Sequence, residues 1–118
     1  MMLTVIDLPF PPSVNSLFAN RRGGRYRTDR YNTWAIVAGT DLKGQKPKPV
    51  HGRVMVWIAV ERIDKRRRDL DNLGKAPLDL LVKHKIIDDD SMVDDFRVYR
   101  DSSVKGCRVS IQPALEAA

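Results

Sequence analysis

Val54-Met55-Val56-Trp57-Ile58-Ala59-Val60 runs for seven residues without a charge and is rich in β-branched side chains. Seven residues is strand length, and a run that is apolar at every position predicts a central strand buried on both faces. The other elements follow outward from it. Downstream, a helix is expected from about Asn72 to Lys83, with Leu73, Pro77, Leu80 and Leu81 as its buried stripe. Lys83, His84 and Lys85 suit its C-terminal end. Pro77 is tolerated only near a first turn, so this helix must begin close to Asn72 or be kinked. Met92 to Arg100 reads as a strand, Asp101 to Gly106 as a turn, and Cys107, Val109 and Ile111 alternate in a last strand.

Upstream, Leu3 to Leu8 reads as a strand, stopped by Pro9-Phe10-Pro11-Pro12, whose missing N–H groups and fixed φ exclude a sheet interior. Ser13 to Arg27 reads as a basic loop with Gly23-Gly24 at its flexible centre and Arg21, Arg22, Arg25 and Arg27 around it. Thr28 or Asp29 can cap a helix on which Tyr31, Trp34, Ala35, Ala38 and Leu42 recur at helical spacing. Lys43 to Pro49 is a basic linker. The order β-α-β-α-β-β predicts a single α+β domain over residues 1–118. It is a four-stranded mixed sheet with helices packed on it, and the tail after about residue 113 is expected to fray.

The chain of 118 residues is long enough to bury a core, and 31% charged against 42% hydrophobic residues marks a globular protein. A net charge of +6 favours an anionic partner, nucleic acid first. The longest apolar run is too short to span a bilayer, so no membrane association is expected. The N-terminus lacks the basic region and cleavage pattern of a signal peptide, and a cytoplasmic location is the default. One cysteine, Cys107, excludes an intrachain disulfide and a thiolate cluster. His51 and His84 stand without zinc-ligand spacing and read as surface or capping residues. Gly23-Gly24 lacks the Lys-Ser/Thr pair of a P-loop, so no nucleotide or other small-molecule cofactor is expected.

Charge concentrates in Arg66-Arg67-Arg68-Asp69-Leu70-Asp71-Asn72, where a cation block meets an acid pair. Two residues apart, Asp69 and Asp71 share a face if the segment is extended, as a stretch just before a helix can be. Hard cations such as Mg2+ take carboxylate oxygens together with phosphate and water. A third carboxylate from Asp88-Asp89-Asp90 would complete such a set. Lys75 lies one helical turn after Asp71 and can reach the same pocket. Plainer readings exist for each feature. Asp71 or Asn72 can be a simple N-cap, the acidic run a solvated turn, Lys75 a surface lysine and Arg66 to Arg68 a solvated face. Residue types and spacing alone leave a metal-dependent nuclease, a nucleic-acid-binding module and an unrelated basic domain in competition.

Arg66-Arg67-Arg68-Asp69-Leu70-Asp71-Asn72-Leu73-x-Lys75, then Asp79-x-Leu81, then Asp88-Asp89-Asp90 and Val93, resembles the RusA family of Holliday junction resolvases. Leu8-Pro9-Phe10-Pro11-Pro12-Ser13-x-Asn15 is similar to that family's opening. The resemblance implies a homodimeric, Mg2+-dependent endonuclease, with Mn2+ as a substitute, that binds four-way junction DNA and nicks two opposed strands symmetrically in recombination and repair. It further implies that Asp69, Asp71 and Asp90 are the catalytic, metal-binding carboxylates. Lys75 is then the auxiliary catalytic cation, and Asp89 supports Asp90. Arg66, Arg67 and Arg68 contact the DNA backbone. Arg21, Arg22 and Arg25 are further DNA-binding candidates from the basic character of their segment. Asp88 extends the acidic run to three, which offers a neighbouring alternative for the third ligand. The competing functions are a noncatalytic DNA-binding protein that kept the fold and a nuclease acting on other branched DNA.

Overall fold

Thr4–Leu8 forms the first strand, β1, and its residues alternate strictly between buried and exposed, the signature of a strand with one face on a core. The computed structural model describes residues 3–63 and 70–114, the Arg21 side chain excepted. Strands β2 (Phe18–Arg21) and β3 (Gly24–Arg27) follow, then helix α1 (Asp29–Gln45), strand β4 (Val54–Glu61), helix α2 (Lys75–Lys83), and strands β5 (Val93–Asp101) and β6 (Cys107–Pro113). The main sheet has the order β1-β6-β4-β5. β6 pairs antiparallel with both β1 and β4, whereas β4 and β5 run parallel. The sheet is therefore mixed, and the fold is α+β.

Inward-facing side chains of the central strands form the floor of the core: Val54, Val56 and Ile58 from β4, Val109 and Ile111 from β6, all fully buried. Burying one such side chain contributes about 1.5–3 kcal/mol, against about 0–1 kcal/mol for an exposed ion pair. The sheet face under the helices thus sets stability, not the surface charges. The expectation that β4 is buried on both faces is corrected in part. Met55 and Trp57 on its other face are only half-buried, because both helices cover one side of the sheet. Trp57 gains some cover from the Arg97 guanidinium, 4.4 Å above its ring.

Thr28 caps α1, its hydroxyl accepting from the Tyr31 amide at 3.1 Å. Tyr31, Trp34, Ala38 and Leu42 form the buried stripe of that helix. The Trp34 indole N–H donates to the Pro9 carbonyl at 3.1 Å, tying the proline segment to α1. α2 begins at Lys75, not Asn72, so Pro77 is its third residue, inside the first turn, where no intrahelical bond is lost. Before it the chain makes a 3-10 turn at Leu70–Leu73. Gly74 then brings the backbone against β5. A Cβ there would lie 2.6 Å from Phe96 Cζ and 3.0 Å from Val98 Cγ2, so a side chain would displace either the Phe96 ring or the turn.

The segment expected as a flexible basic loop is in part a hairpin. β2 and β3 pair antiparallel through the two-residue connection Arg22-Gly23. Gly23 (φ 97°) supplies the positive φ at the second turn position. At the other end of the chain, Ala114 donates to the Arg53 carbonyl at 2.9 Å. The remainder of the tail expected to fray, 115–118, lies outside the described residues. Among the described residues no helix is long and apolar enough to cross a membrane.

Candidate active site

Both acidic groups singled out in the sequence belong to the single connection between the parallel strands β4 and β5. Parallel neighbours require a crossover, and here it carries α2 with an acid-bearing turn on either side. Asp71 lies in the 3-10 turn before α2 and is exposed. It does not sit on extended chain, so the shared-face geometry expected from extended spacing is not the geometry found at this residue. Asp69, Arg66, Arg67 and Arg68 lie outside the described residues. Neither Asp71 nor Asn72 is the N-cap of α2. That position is Gly74, with no side-chain cap.

Lys75 opens α2, and its ammonium lies 3.3 Å from Asp79 Oδ2, one turn further on. The helix provides the spacing for this i,i+4 pair. Asp79 also accepts from the Tyr31 hydroxyl at 3.1 Å, which links α2 to α1. Burial first, and then the Asp79 charge and hydrogen bond, push the Tyr31 phenol up to about 12.

On the other side of α2 the three consecutive aspartates have separate surroundings. Asp88 accepts from the Gly52 amide at 2.8 Å and lies 2.8 Å from His51 Nδ1. Chiefly the Gly52 bond, and then the His51 bond, hold its carboxyl below the usual range. Asp89 caps the 3-10 turn Asp90–Met92, accepting from the Ser91 amide at 3.1 Å and its hydroxyl at 2.5 Å. The Ser91 hydroxyl bond, followed by the amide bond, likewise lowers its pKa. Asp90 opens that turn, exposed, just before β5. Two of the three acids thus serve the geometry of the loop. His51 is a surface residue paired with Asp88, and His84 is the C-cap of α2.

Among the described residues no group of three or more His, Cys, Asp or Glu side chains is arranged to hold a metal ion. The donor chemistry at the two turns nonetheless suits a hard cation. Asp71 and Asp90 offer exposed carboxylate oxygens. The one thiol, Cys107, is fully buried and its pKa pushed up to about 12 by burial. Soft-metal ligation through it is therefore excluded.

Basic residues cluster on the hairpin. Arg22 and Arg25 are exposed, and the Arg21 side chain is not among those described. The Arg25 guanidinium stands 4.5 Å from the Phe18 ring centroid and that of Arg27 4.1 Å from Tyr31. Phe18 and Tyr31 themselves meet edge to face, with centroids 5.9 Å apart.

Residues 9–112 match the family model described as Endodeoxyribonuclease RusA. The protein is also 36% identical over 111 residues to a crossover junction endodeoxyribonuclease of Enterobacteria phage 82, covering 90% of this chain and 89% of the relative. Its counterpart in Escherichia coli strain K12 is 35% identical over 111 residues, with the same coverage. That of Enterobacteria phage HK97 is 32% identical over 106 residues, covering 89% and 88%.

The chain belongs to the RusA family. The RusA match reaches from the proline segment to β6 and includes Asp69, Asp71, Lys75 and Asp90. It also includes two features that residue patterns left unassigned. One is the hairpin, whose strands lack apolar alternation. The other is the Lys75–Asp79–Tyr31 link between the helices, for which the Lys75 and Asp79 spacing was a visible cue and the distant Tyr31 gave none.

Proposed function

We propose that this RusA family member is a metal-dependent endonuclease that resolves four-way DNA junctions by symmetric paired nicking. The observation that carries the reading is the match, over 90% of the chain, to proteins named crossover junction endodeoxyribonuclease. Asp69, Asp71 and Asp90 would supply hard oxygen donors for Mg2+, or Mn2+ in its place. When bound, such a cation supplies Lewis-acid polarisation of a phosphoryl oxygen. Lys75, beside Asp79, places a cation at the start of α2. Arg66, Arg67 and Arg68, with Arg21, Arg22 and Arg25 on the hairpin, would hold the DNA backbone through charge-assisted contacts. A junction with approximate two-fold symmetry is matched by a homodimer, which presents two equal sites.

The test is Mg2+-dependent nicking of a synthetic four-way junction. Asp69→Asn and Asp71→Asn should each lower the nicking rate by roughly a hundredfold or more, the equivalent of a few kcal/mol of lost transition-state stabilisation. Junction binding should stay within a few-fold, because the affinity comes from cations displacing counterions. Binding without nicking by the unaltered chain in Mg2+ or Mn2+ would instead make it a noncatalytic DNA-binding protein. Stronger competition by a flap than by a junction of equal sequence would transfer it to other branched DNA.

A further inference from the structure

Several cations on this surface already have a carboxylate. Arg53 is paired with Asp94, Arg97 with Asp95, Arg108 with Asp7 and Lys75 with Asp79. One groove departs from that pattern. It lies between α1 and α2, has a volume of about 390 Å3, and is lined by Arg27, Lys43, Lys83 and His84 among neutral residues, with no carboxylate on its wall. Among the described residues, Arg27, Lys43 and Lys83 are held in no ion pair.

Lys43 and Lys83 stand in the last turns of their helices, where a cation offsets the C-terminal end of the dipole. That explains a lysine on each helix. It does not explain why both line one groove, joined there by Arg27 from the hairpin. The Arg27 guanidinium lies over the Tyr31 ring, a cation–π contact that leaves N–H donors for an anion. Gly39 lets the floor close up, since a Cβ there would lie 3.0 Å from His84 Nε2. Burial, and then the charges of Lys43 and Lys83, lower the His84 pKa, as expected where like charges converge without a counterion.

We propose that the α1–α2 groove binds the phosphodiester backbone of a duplex DNA arm through Arg27, Lys43 and Lys83, apart from the acid-bearing turns. This rests on the nuclease reading for the identity of the ligand. A phosphate in the groove meets three donors and no opposing acid. Asp79 lines the adjoining pocket, which shares Arg27 and Lys83 with the groove, and already receives Tyr31 and Lys75.

The experiment uses the full chain and a short unbranched duplex. The imidazole resonance of His84, assigned by its loss in His84→Gln, should titrate to a higher midpoint when duplex is added, because a bound phosphate favours the imidazolium. In Lys43→Ala/Lys83→Ala that displacement should vanish. Duplex affinity near 0.1 M salt should fall roughly tenfold, and the slope of log affinity against log salt should drop by about 0.9 for each phosphate no longer neutralised. Lys48→Ala/Lys105→Ala removes the same charge from exposed positions off the groove and should have a much smaller effect. The proposal is overturned by a duplex that leaves the His84 midpoint in place, or by a control pair that weakens binding as much as the groove pair. Inorganic phosphate moving His84 as far as duplex does, at equal phosphate concentration, would also overturn it in favour of a free-anion site. A chain that responds at His84 to duplex but nicks no junction would refute the nuclease reading and leave the groove standing.

Discussion

Tyr31 shows how much one side chain can join. It lies on α1, packs edge to face on Phe18 of β2, carries Arg27 of β3 on its ring and donates to Asp79 of α2. Tyr31→Phe keeps the ring contacts and removes only the hydroxyl, which should cost about 1 kcal/mol, the net worth of one hydrogen bond. The expected pH dependence follows from the phenol. Its folded pKa is raised from 10.0 to about 12, so its stabilising contribution is complete below pH 10 and is lost as pH rises from 10 to 12. The stability difference between the native chain and Tyr31→Phe, measured by urea unfolding, should therefore shrink over that interval. A constant difference would show that the hydroxyl is not held as the structure places it.

At the scale of elements, the turn from β5 to β6 tolerates little change. Gly106 has φ 67°, and a Cβ there would lie 2.4 Å from the Leu8 carbonyl oxygen, which is backbone and cannot swing aside. Its own amide donates to Glu61 at 2.8 Å, so the turn is pinned from a second side. Gly106→Ala adds left-handed strain to this overlap and should cost about 2–4 kcal/mol, read as a lower urea midpoint at unchanged slope. β1, α1 and β6 were legible in the chain because each presents an apolar face at its own period to the core, and β4 because its apolar run is unbroken. β5, which has no buried residue, was legible from its β-branched and aromatic residues. Phe18–Arg21 and Gly24–Arg27 were not. Every residue of the second strand is exposed, so no burial pattern marks it, and pairing there depends on a two-residue turn and on aromatic contacts with α1. The acidic residues were legible as candidates through their order in the chain. The 3-10 turn that carries Asp71 was not, because Gly74 sets it against β5, a contact between distant parts of the sequence. The separate duties of Asp88 and Asp89 were likewise hidden, since they depend on His51, Gly52 and a local cap.

For the whole molecule, β6 is the strand that joins the sheet, lying between β1 and β4. Cys107 at its start is fully buried and its thiol is pushed up to about 12. A thiol reagent can therefore reach a reactive sulfur only when the sheet opens. Alkylation in native buffer should be slower than in urea-unfolded chain by roughly a thousandfold or more, and should accelerate with urea in step with global unfolding. Rapid labelling without urea would show that β6 frays on its own. The position of β6 also sets a timetable for synthesis. Thr4 has Ile111 as its partner, so β1 waits for β6 to be made before it can pair. Until then β1 and one edge of β4 present unsatisfied backbone to the cell, the condition under which nascent chains stick to one another. Closing so long a loop slows the pairing of β1 with β6.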